Sequence, residues 1–171
     1  MLRGYSFNST ADFETVREIK EKMCYTSINI DKERKLARET TVLDKEYTLP
    51  DNNTIMIGRE RFEAPEILMN PSLLELEDGG MANMIYDSIT GCDLDIQKEL
   101  AQNIWLSGGT SMTPGLSSRL EQELKNTWVA KKGKGDRSIL NRVKIVVHDP
   151  PTRKNAVFMG ASFLAKFADD S

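Results

Sequence analysis

The feature that most constrains the fold is a glycine-rich turn between a short apolar run and a helical repeat. Residues 104–106 are Ile-Trp-Leu, residues 107–110 are Ser-Gly-Gly-Thr, and leucine then recurs every four residues at Leu116, Leu120 and Leu124. An apolar run followed by a four-residue repeat predicts a strand and then a helix, with the glycines at the turn between them. A strand joined to a helix in this way is typical of α/β folds, in which helices cover a sheet.

The residues around this turn suit a ligand site. Glycine lets a backbone approach a ligand without a side chain in the way, and amide groups near a helix start favour anionic or polar groups. Thr113 and Pro114 fit a helix N-cap followed by proline at the first helical position. The Gly-Gly-Thr motif alone is weak, because it lacks the Lys-Ser/Thr ending of a P-loop and the spacing of a dinucleotide fingerprint. An ordinary tight turn explains it equally well.

A second segment, near residues 10–25, has the pattern of an amphipathic helix. Ser9 followed by Asp12 resembles a capping box at its start. Its apolar residues recur at helical spacing: Phe13, Val16, Ile19 and Met23. We therefore expect a helix with one apolar face.

The flank of this predicted helix carries a polar trio. Arg17, Lys20 and Glu21 stand at positions i, i+3 and i+4, which places two cations and one carboxylate on one patch. Such a patch can hold the polar edge of a nucleoside. The alternative is a solvated helix face with ion pairs such as Glu18 to Lys22, and the segment by itself favours this alternative.

Helices and strands alternate along the rest of the chain. The patterns predict a helix at 30–38, a hairpin with strands 46–49 and 54–57, helices at 81–90 and 95–102, a strand at 103–106, a helix at 116–128, a strand at 143–148 and a helix at 161–167. With 171 residues, 39% hydrophobic residues and a formal net charge of −3, the chain can bury a core. No apolar run approaches the roughly 20 residues that a membrane span needs.

Several kinds of site are disfavoured by the composition. The two cysteines, Cys24 and Cys92, are far apart in sequence, which argues against a disulfide scaffold or a thiolate metal site. His148 is the single histidine, and no carboxylate cluster accompanies it. Neither a zinc site nor a histidine-based triad is therefore expected.

A basic run follows the helix predicted at 116–128. Its cations are Lys131, Lys132, Lys134, Arg137, Arg142 and Lys144, against a single acid, Asp136. No aromatic residues interleave them, glycines punctuate the run and the whole chain is acidic, so nucleic-acid binding is not expected. A solvated loop is the favoured interpretation, and contact with a protein partner is the alternative.

The amino-acid sequences of several segments, spread over nearly the whole chain, resemble the C-terminal half of actin and its relatives. The segments are LRGYSF at 2–7, VREIKEK at 16–22, YTLPD at 47–51, ERFEAPE at 60–66, CDLDI at 92–96, LSGGT at 106–110 and PPTRK at 150–154. The resemblance implies an α/β fold, namely part of the ATPase fold shared by actin, Hsp70 and sugar kinases. It implies an inner lobe of sheet and helices with a smaller outer lobe.

Within that family, other stretches look less like conventional actin than like an actin-related subunit of the Arp2/3 complex, which nucleates branched actin filaments. These stretches are ADFETVR at 11–17, LARETTVL at 36–43, SRLEQELK at 118–125 and an insert at 129–142. The implied partners are the other subunits of the Arp2/3 complex and the actin filament, in the cytoplasmic actin cytoskeleton. The alternatives are a conventional or divergent actin-like filament protein, or a sugar-kinase or Hsp70-type ATPase.

The resemblance also implies a site for ATP or ADP. Arg17, Lys20 and Glu21 would line its adenine and ribose side, residues 108–113 would form the opposing wall, and Lys154 would close it. The wall residues are Gly108, Gly109, Thr110, Ser111, Met112 and Thr113. Relatives usually carry tyrosine at the position of Thr113, which implies a thinner apolar wall here, and paired glycines at residues 160–161.

The parts that the family uses for phosphates and Mg²⁺ lie upstream of the matching residues. Phosphoryl transfer needs a bound metal, amides around the phosphates and a positioned water. We therefore expect a nucleotide-binding structural protein and no self-contained enzyme, with Mg²⁺ held by upstream residues. The implied domains are an outer lobe at 1–75, an inner lobe at 76–154 with the insert at 129–142, and a truncated return to the first lobe at 155–171. Because relatives extend further at both ends, we expect a partial product.

Overall fold

The computed structural model describes residues 7–77 and 79–168. The chain divides into two compact units, Met1–Glu66 and Ile67–Ser171, and each is considered by itself. The division after residue 66 comes before the boundary at residue 75 that the sequence suggests. Residues 67–75 therefore belong to the second unit. The assignment of these units to lobes of a larger protein stays a prediction.

Residues 7–66 of the first unit form three helices and a hairpin. They are α1 (Thr10–Met23), α2 (Ile30–Glu39), β1 (Lys45–Thr48), β2 (Thr54–Ile57) and α3 (Glu60–Glu66). The predicted capping box is confirmed: the Asp12 amide donates to Ser9 Oγ, and the Asp12 carboxylate accepts from the Ser9 amide. Strands β1 and β2 pair antiparallel, with Lys45 opposite Ile57 and Thr48 opposite Thr54.

The core of the first unit lies away from α1. Phe62 is fully buried and its ring lies 6.0 Å from that of Tyr25. Arg61 is also buried, and its guanidinium donates to the carbonyl oxygens of Met23 and Leu43. Helix α1 buries none of its residues within this unit, and Phe13 on its apolar stripe is 63% exposed. The predicted helix is confirmed. Its apolar face is only partly covered, because Ile19 and Met23 are half-buried whereas Phe13 and Val16 are exposed.

The second unit contains five α-helices and two short strands among the residues described. They are α4 (Gly80–Thr90), α5 (Leu94–Gln102), β3 (Ile104–Trp105), α6 (Leu116–Lys131), α7 (Ile139–Arg142), β4 (Val147–His148) and α8 (Ala156–Ala168). The described residues of this unit also form 3₁₀ turns at Pro71–Leu74, Gly109–Met112 and Arg153–Asn155.

Helix α6 supplies the centre of the second unit's core. The predicted leucine repeat is buried at every step, at Leu116, Leu120 and Leu124, and Trp128 continues it. The indole of Trp128 meets the ring of Tyr86 edge to face, with centroids 4.9 Å apart. Full burial of one leucine side chain contributes roughly 1.5–3 kcal/mol to the stability of the fold. One apolar stripe on α6 therefore shares a core with residues of α4, α5 and α7.

Strands β3 and β4 pair in parallel, with Ile104 opposite Val147 and Trp105 opposite His148. Parallel neighbours need a crossover connection, and α6 lies within it. The strand predicted at 143–148 is wrong over its first half, because α7 occupies residues 139–142 and the Val143 amide donates to the Ile139 carbonyl of its last turn. The carboxyl ends of β3 and β4 lie at the same edge of this two-stranded sheet. The segments that start at residues 107 and 149 follow the strands at that edge.

The basic insert is more ordered than a solvated loop. Helix α6 runs into it as far as Lys131, and α7 closes it. Lys131 pairs with Asp87 at 3.0 Å, and Lys132 donates to the Gln97 side chain at 2.8 Å. These two cations therefore hold the start of the insert against α4 and α5, whereas residues 134–138 are exposed, as expected of a solvated loop.

Helix α8 begins at Ala156, five residues before the predicted start. Its apolar side chains are largely exposed, including Phe158 at 76% and Leu164 at 70%. No helix in the described residues is both long and apolar enough to cross a membrane.

Candidate functional site

The glycine loop, defined here as residues 107–112, leaves the carboxyl end of β3. Gly108 has a φ of 97°, a left-handed conformation that favours glycine, and Gly109 begins a 3₁₀ turn. A Cβ added at either glycine would meet no atom within 4 Å. The loop therefore presents bare backbone to open space, as the sequence predicts for a close approach by a ligand.

Ser111 and Thr113 hold the loop in shape. Ser111 is buried, and both its amide and its hydroxyl donate to the Gly108 carbonyl, at 3.2 and 2.6 Å. The Thr113 amide donates to the Thr110 carbonyl at 3.1 Å. Thr113 is not the N-cap of α6, and that prediction is wrong. The helix begins at Leu116 because residues 113–115 form a turn, with Gly115 as N-cap at a φ of 81°.

The segment after β4 packs against the glycine loop. Because the carboxyl ends of parallel strands share an edge, residues 149–154 come beside residues 107–112. Arg153 joins the two segments: its Nε donates to the Ser111 carbonyl at 3.0 Å, and its own carbonyl accepts from the Gly108 amide at 3.0 Å. The α/β rule that ligands bind outside the carboxyl ends of strands favours this edge as a site.

Lys154 follows Arg153 in the 3₁₀ turn Arg153–Asn155, which packs on the 3₁₀ turn of the glycine loop. Its side chain is exposed, and no ion pair involves it in the part of the chain that the structure describes. Gly109, Thr110 and Met112 are exposed beside it. The second unit thus brings together all of its predicted nucleotide residues, with Ser111 turned inward.

The polar trio of the first unit lies on the exposed face of α1. Arg17 donates to both carboxylate oxygens of Glu14 and lies 3.8 Å from Glu21. The hydrogen bond to Glu14 is the main cause that raises the pKa of Arg17, so the guanidinium stays charged. Lys20 shares this face and forms no ion pair within residues 7–77. The pair Glu18–Lys22, at 2.7 Å, shows that the solvated-face alternative also describes this helix.

The donor set fits a nucleotide better than a metal ion. Exposed glycine backbone and exposed cations suit phosphate and polar base edges. Across residues 7–77 and 79–168, no three histidine, cysteine or acidic side chains gather into a metal-binding group. Mg²⁺ held by upstream residues stays a prediction.

Sequence reasoning missed Arg153 as an organising residue, although it lies within the PPTRK segment. The signal was present: two strands separated by one helix predict a parallel pair, and a parallel pair brings the loops after both strands together. His148, for which no catalytic role is expected, stacks on Trp105 with ring centroids 4.5 Å apart. Its Nε2 lies 3.2 Å from the Gln102 carbonyl oxygen.

Comparisons with known proteins agree on one family. A family model described as Actin matches residues 2–169. Actin-related protein 2 of Saccharomyces cerevisiae is 51% identical over 168 residues, covering 98% of the chain and 43% of the relative. The proteins of the same name from Acanthamoeba castellanii and Drosophila melanogaster are 48% and 49% identical, covering 99% of the chain and 44% and 43% of the relatives. The chain thus spans less than half the length of these relatives.

Proposed function

The chain belongs to the actin family, and on that premise we propose that it is part of an ATP-binding, actin-related protein that serves as a subunit of the Arp2/3 complex. The identity of about half of all residues to proteins named Actin-related protein 2 supports this assignment. The proposed partners are the other subunits of that complex and the actin filament. The proposed location is the cytoplasmic actin cytoskeleton.

The observation that carries nucleotide binding is the bare backbone of the glycine loop. Open space lies where side chains at Gly108 and Gly109 would stand, and Lys154 is exposed beside it. A polar ligand can approach the backbone at these two glycines closely. We assign the loop, with Thr110, Met112 and Thr113, to one wall of the nucleotide site.

The remaining roles follow from the chemistry of the side chains. Arg17, Lys20 and Glu21 offer donors and an acceptor for the polar edge of adenine and for ribose hydroxyls. Lys154 supplies a mobile cation at the glycine loop. Bound ATP, with its Mg²⁺, would supply a charged ligand whose presence favours one conformation of the complete protein.

Hydrolysis of ATP is proposed to depend on residues outside this chain. Transfer of a phosphoryl group needs a metal ion and an oriented water, and the residues that the structure describes hold no metal-binding group of three histidine, cysteine or acidic side chains. The proposed role of these residues is to bind nucleotide. Phosphate release above blank by the purified chain, dependent on Mg²⁺, would refute this proposal.

The function is tested by co-expressing the full-length protein with the other subunits of the Arp2/3 complex. Affinity purification and mass spectrometry then identify what the protein joins. Recovery of the whole complex is the expected result. Recovery of actin alone, or of the protein bound only to itself, would replace the proposal with a conventional or divergent actin-like filament protein.

A further inference from the structure

We propose that Arg153 positions the glycine loop and that its guanidinium thereby sets the ATP affinity of the complete protein. The inference rests on the proposed function, because it concerns the same nucleotide site. It separates two adjacent cations by role: Lys154 is exposed and free to meet the ligand, whereas Arg153 is half-buried and turned toward the backbone.

The guanidinium of Arg153 binds three backbone carbonyl groups. Its Nε donates to Ser111 at 3.0 Å, and one terminal nitrogen donates to Asp149 at 2.9 Å and to Pro150 at 3.1 Å. The first acceptor belongs to the glycine loop and the other two to the segment after β4. The side chain therefore ties one segment to the other. No carboxylate pairs with it among the described residues, so its hydrogen-bonding capacity is directed at backbone.

The backbone of Arg153 makes a second connection in the opposite direction. Its carbonyl accepts from the Gly108 amide at 3.0 Å and from the Ser107 hydroxyl at 3.3 Å. Side chain and main chain of one residue thus bind the beginning and the end of the loop. Because the main-chain bonds persist in any substitution, a variant at Arg153 isolates the contribution of the guanidinium.

The loop depends on such a restraint because its conformation is unusual. Gly108 adopts a φ of 97°, and no atom lies within 4 Å of the position of its absent Cβ. Packing therefore does not confine the glycine, and glycine has the widest conformational freedom of any residue. Its amide is held by the Arg153 carbonyl, and its carbonyl is held by Ser111, which donates to it twice and whose own carbonyl accepts from the Arg153 guanidinium. Loss of the guanidinium would release this chain of hydrogen bonds at its outer end.

Lysine cannot reproduce this arrangement. A guanidinium presents its N–H groups in a rigid planar fork, whereas an ammonium is a point charge on a flexible stem. An ammonium at position 153 can reach one of the carbonyl groups but not hold all three in fixed geometry. A tenfold change in affinity corresponds to about 1.4 kcal/mol of binding free energy. We therefore expect Arg153→Ala to weaken ATP binding about tenfold or more, and Arg153→Lys to fall between it and the wild type.

The test uses the full-length protein in its complex. Equilibrium binding of radiolabelled ATP in the presence of Mg²⁺ is measured for wild type, Arg153→Ala, Arg153→Lys and the matched control Arg137→Ala, whose exposed side chain lies in the insert. Guanidinium ion at a few millimolar is added to each. We expect it to restore part of the affinity of Arg153→Ala and to leave Arg137→Ala unchanged. Amide exchange at Gly108 and Ser111 in nucleotide-free Arg153→Lys should be faster than in the wild type.

The outcomes separate the two claims. If the wild type binds no ATP, the proposed function fails and this inference fails with it. If the wild type binds ATP and both Arg153 variants bind ATP with the affinity of the wild type, only the inference is overturned. Wild-type affinity and wild-type loop exchange in Arg153→Lys would also overturn it, because they would reduce the role of Arg153 to its charge.

Discussion

At Gly109 the backbone faces open space on the side where a side chain would stand, and its φ is not in the left-handed region. A substitution there fills that space without straining the chain. Gly108 differs, because its φ of 97° would strain any other residue. Sequence alone identified both glycines but gave no means of telling them apart, since the distinction lies in the backbone conformation.

Gly109→Val in the full-length protein should therefore abolish most ATP binding while leaving thermal stability nearly unchanged. The branched side chain would occupy the space in which the nucleotide is proposed to lie. Gly160→Val is the matched control, because Gly160 also has open space around its missing Cβ but lies in helix α8. Equal ATP affinity of the two variants, measured by equilibrium dialysis, would place the nucleotide elsewhere.

The start of α6 marks the limit of residue-level prediction. Thr113 and Pro114 have the residue types of a helix start, yet the chain makes one more turn before the helix begins at Leu116. The Thr113 amide donates to the Thr110 carbonyl and so belongs to the 3₁₀ turn over residues 109–112. Its stability depends on Arg153, which lies about forty positions later in the chain, so a local pattern did not contain the information.

At the scale of helices and strands, periodicity predicted most of what forms. The leucine repeat of α6 and the hairpin residues both folded as expected, because each pattern matches one periodicity over several residues. The predictions fail where contacts between residues that are distant in sequence determine the local structure. The C-terminal end of α6 is held by Lys131, which pairs with Asp87 of α4, and by Lys132, which donates to Gln97 of α5. Helix α7 occupies residues 139–142, and the strand is confined to Val147–His148.

Leu120→Ala should lower the free energy of unfolding of the chain by about 2–5 kcal/mol, because it leaves a cavity in a fully buried site. Leu94→Ala removes the same atoms from a side chain that is 73% exposed, and it should change stability by less than about 0.5 kcal/mol. Urea unfolding followed by circular dichroism measures both. Similar costs for the two variants would show that α6 does not form the core described here.

The capping box of α1 should make this helix sensitive to acid. The Asp12 carboxylate accepts from the Ser9 and Asn8 amides, and the Ser9 hydrogen bond is the main cause that lowers its pKa below 3.8. Since the folded pKa is lower than the unfolded one, the stabilisation is present above the unfolded pKa and is lost as pH falls through the folded value.

Helicity at residues 10–23, measured by NMR chemical shifts, should therefore hold from neutral pH to about pH 4 and decline below it. Asp12→Asn cannot carry the charge, so its helicity should start lower and show less change over the same range. A titration of Asp12 at or above its ordinary pKa would contradict the capping geometry.

At the scale of the whole molecule, family membership was predicted from short sequence segments spread along the chain, and the family match over residues 2–169 confirms it. The ATP-site residues implied by the family resemblance stay a prediction: the first unit exposes those on α1, and the second unit exposes the glycine loop and Lys154. Exposed apolar side chains on α1 and α8, such as Phe13 and Phe158, indicate surfaces that these units leave uncovered. Local sequence patterns do not reveal what covers such surfaces.

The measurement that tests the central claim most directly is photolabelling of the full-length protein with 8-azido-ATP. Ultraviolet light links the base to neighbouring residues, and mass spectrometry identifies the labelled peptides. We predict label on peptides from residues 10–23, from residues 106–115 or from both, and its loss when excess ATP competes. Label confined to other peptides, with the same competition by ATP, would contradict the assignment of these residues to the nucleotide site.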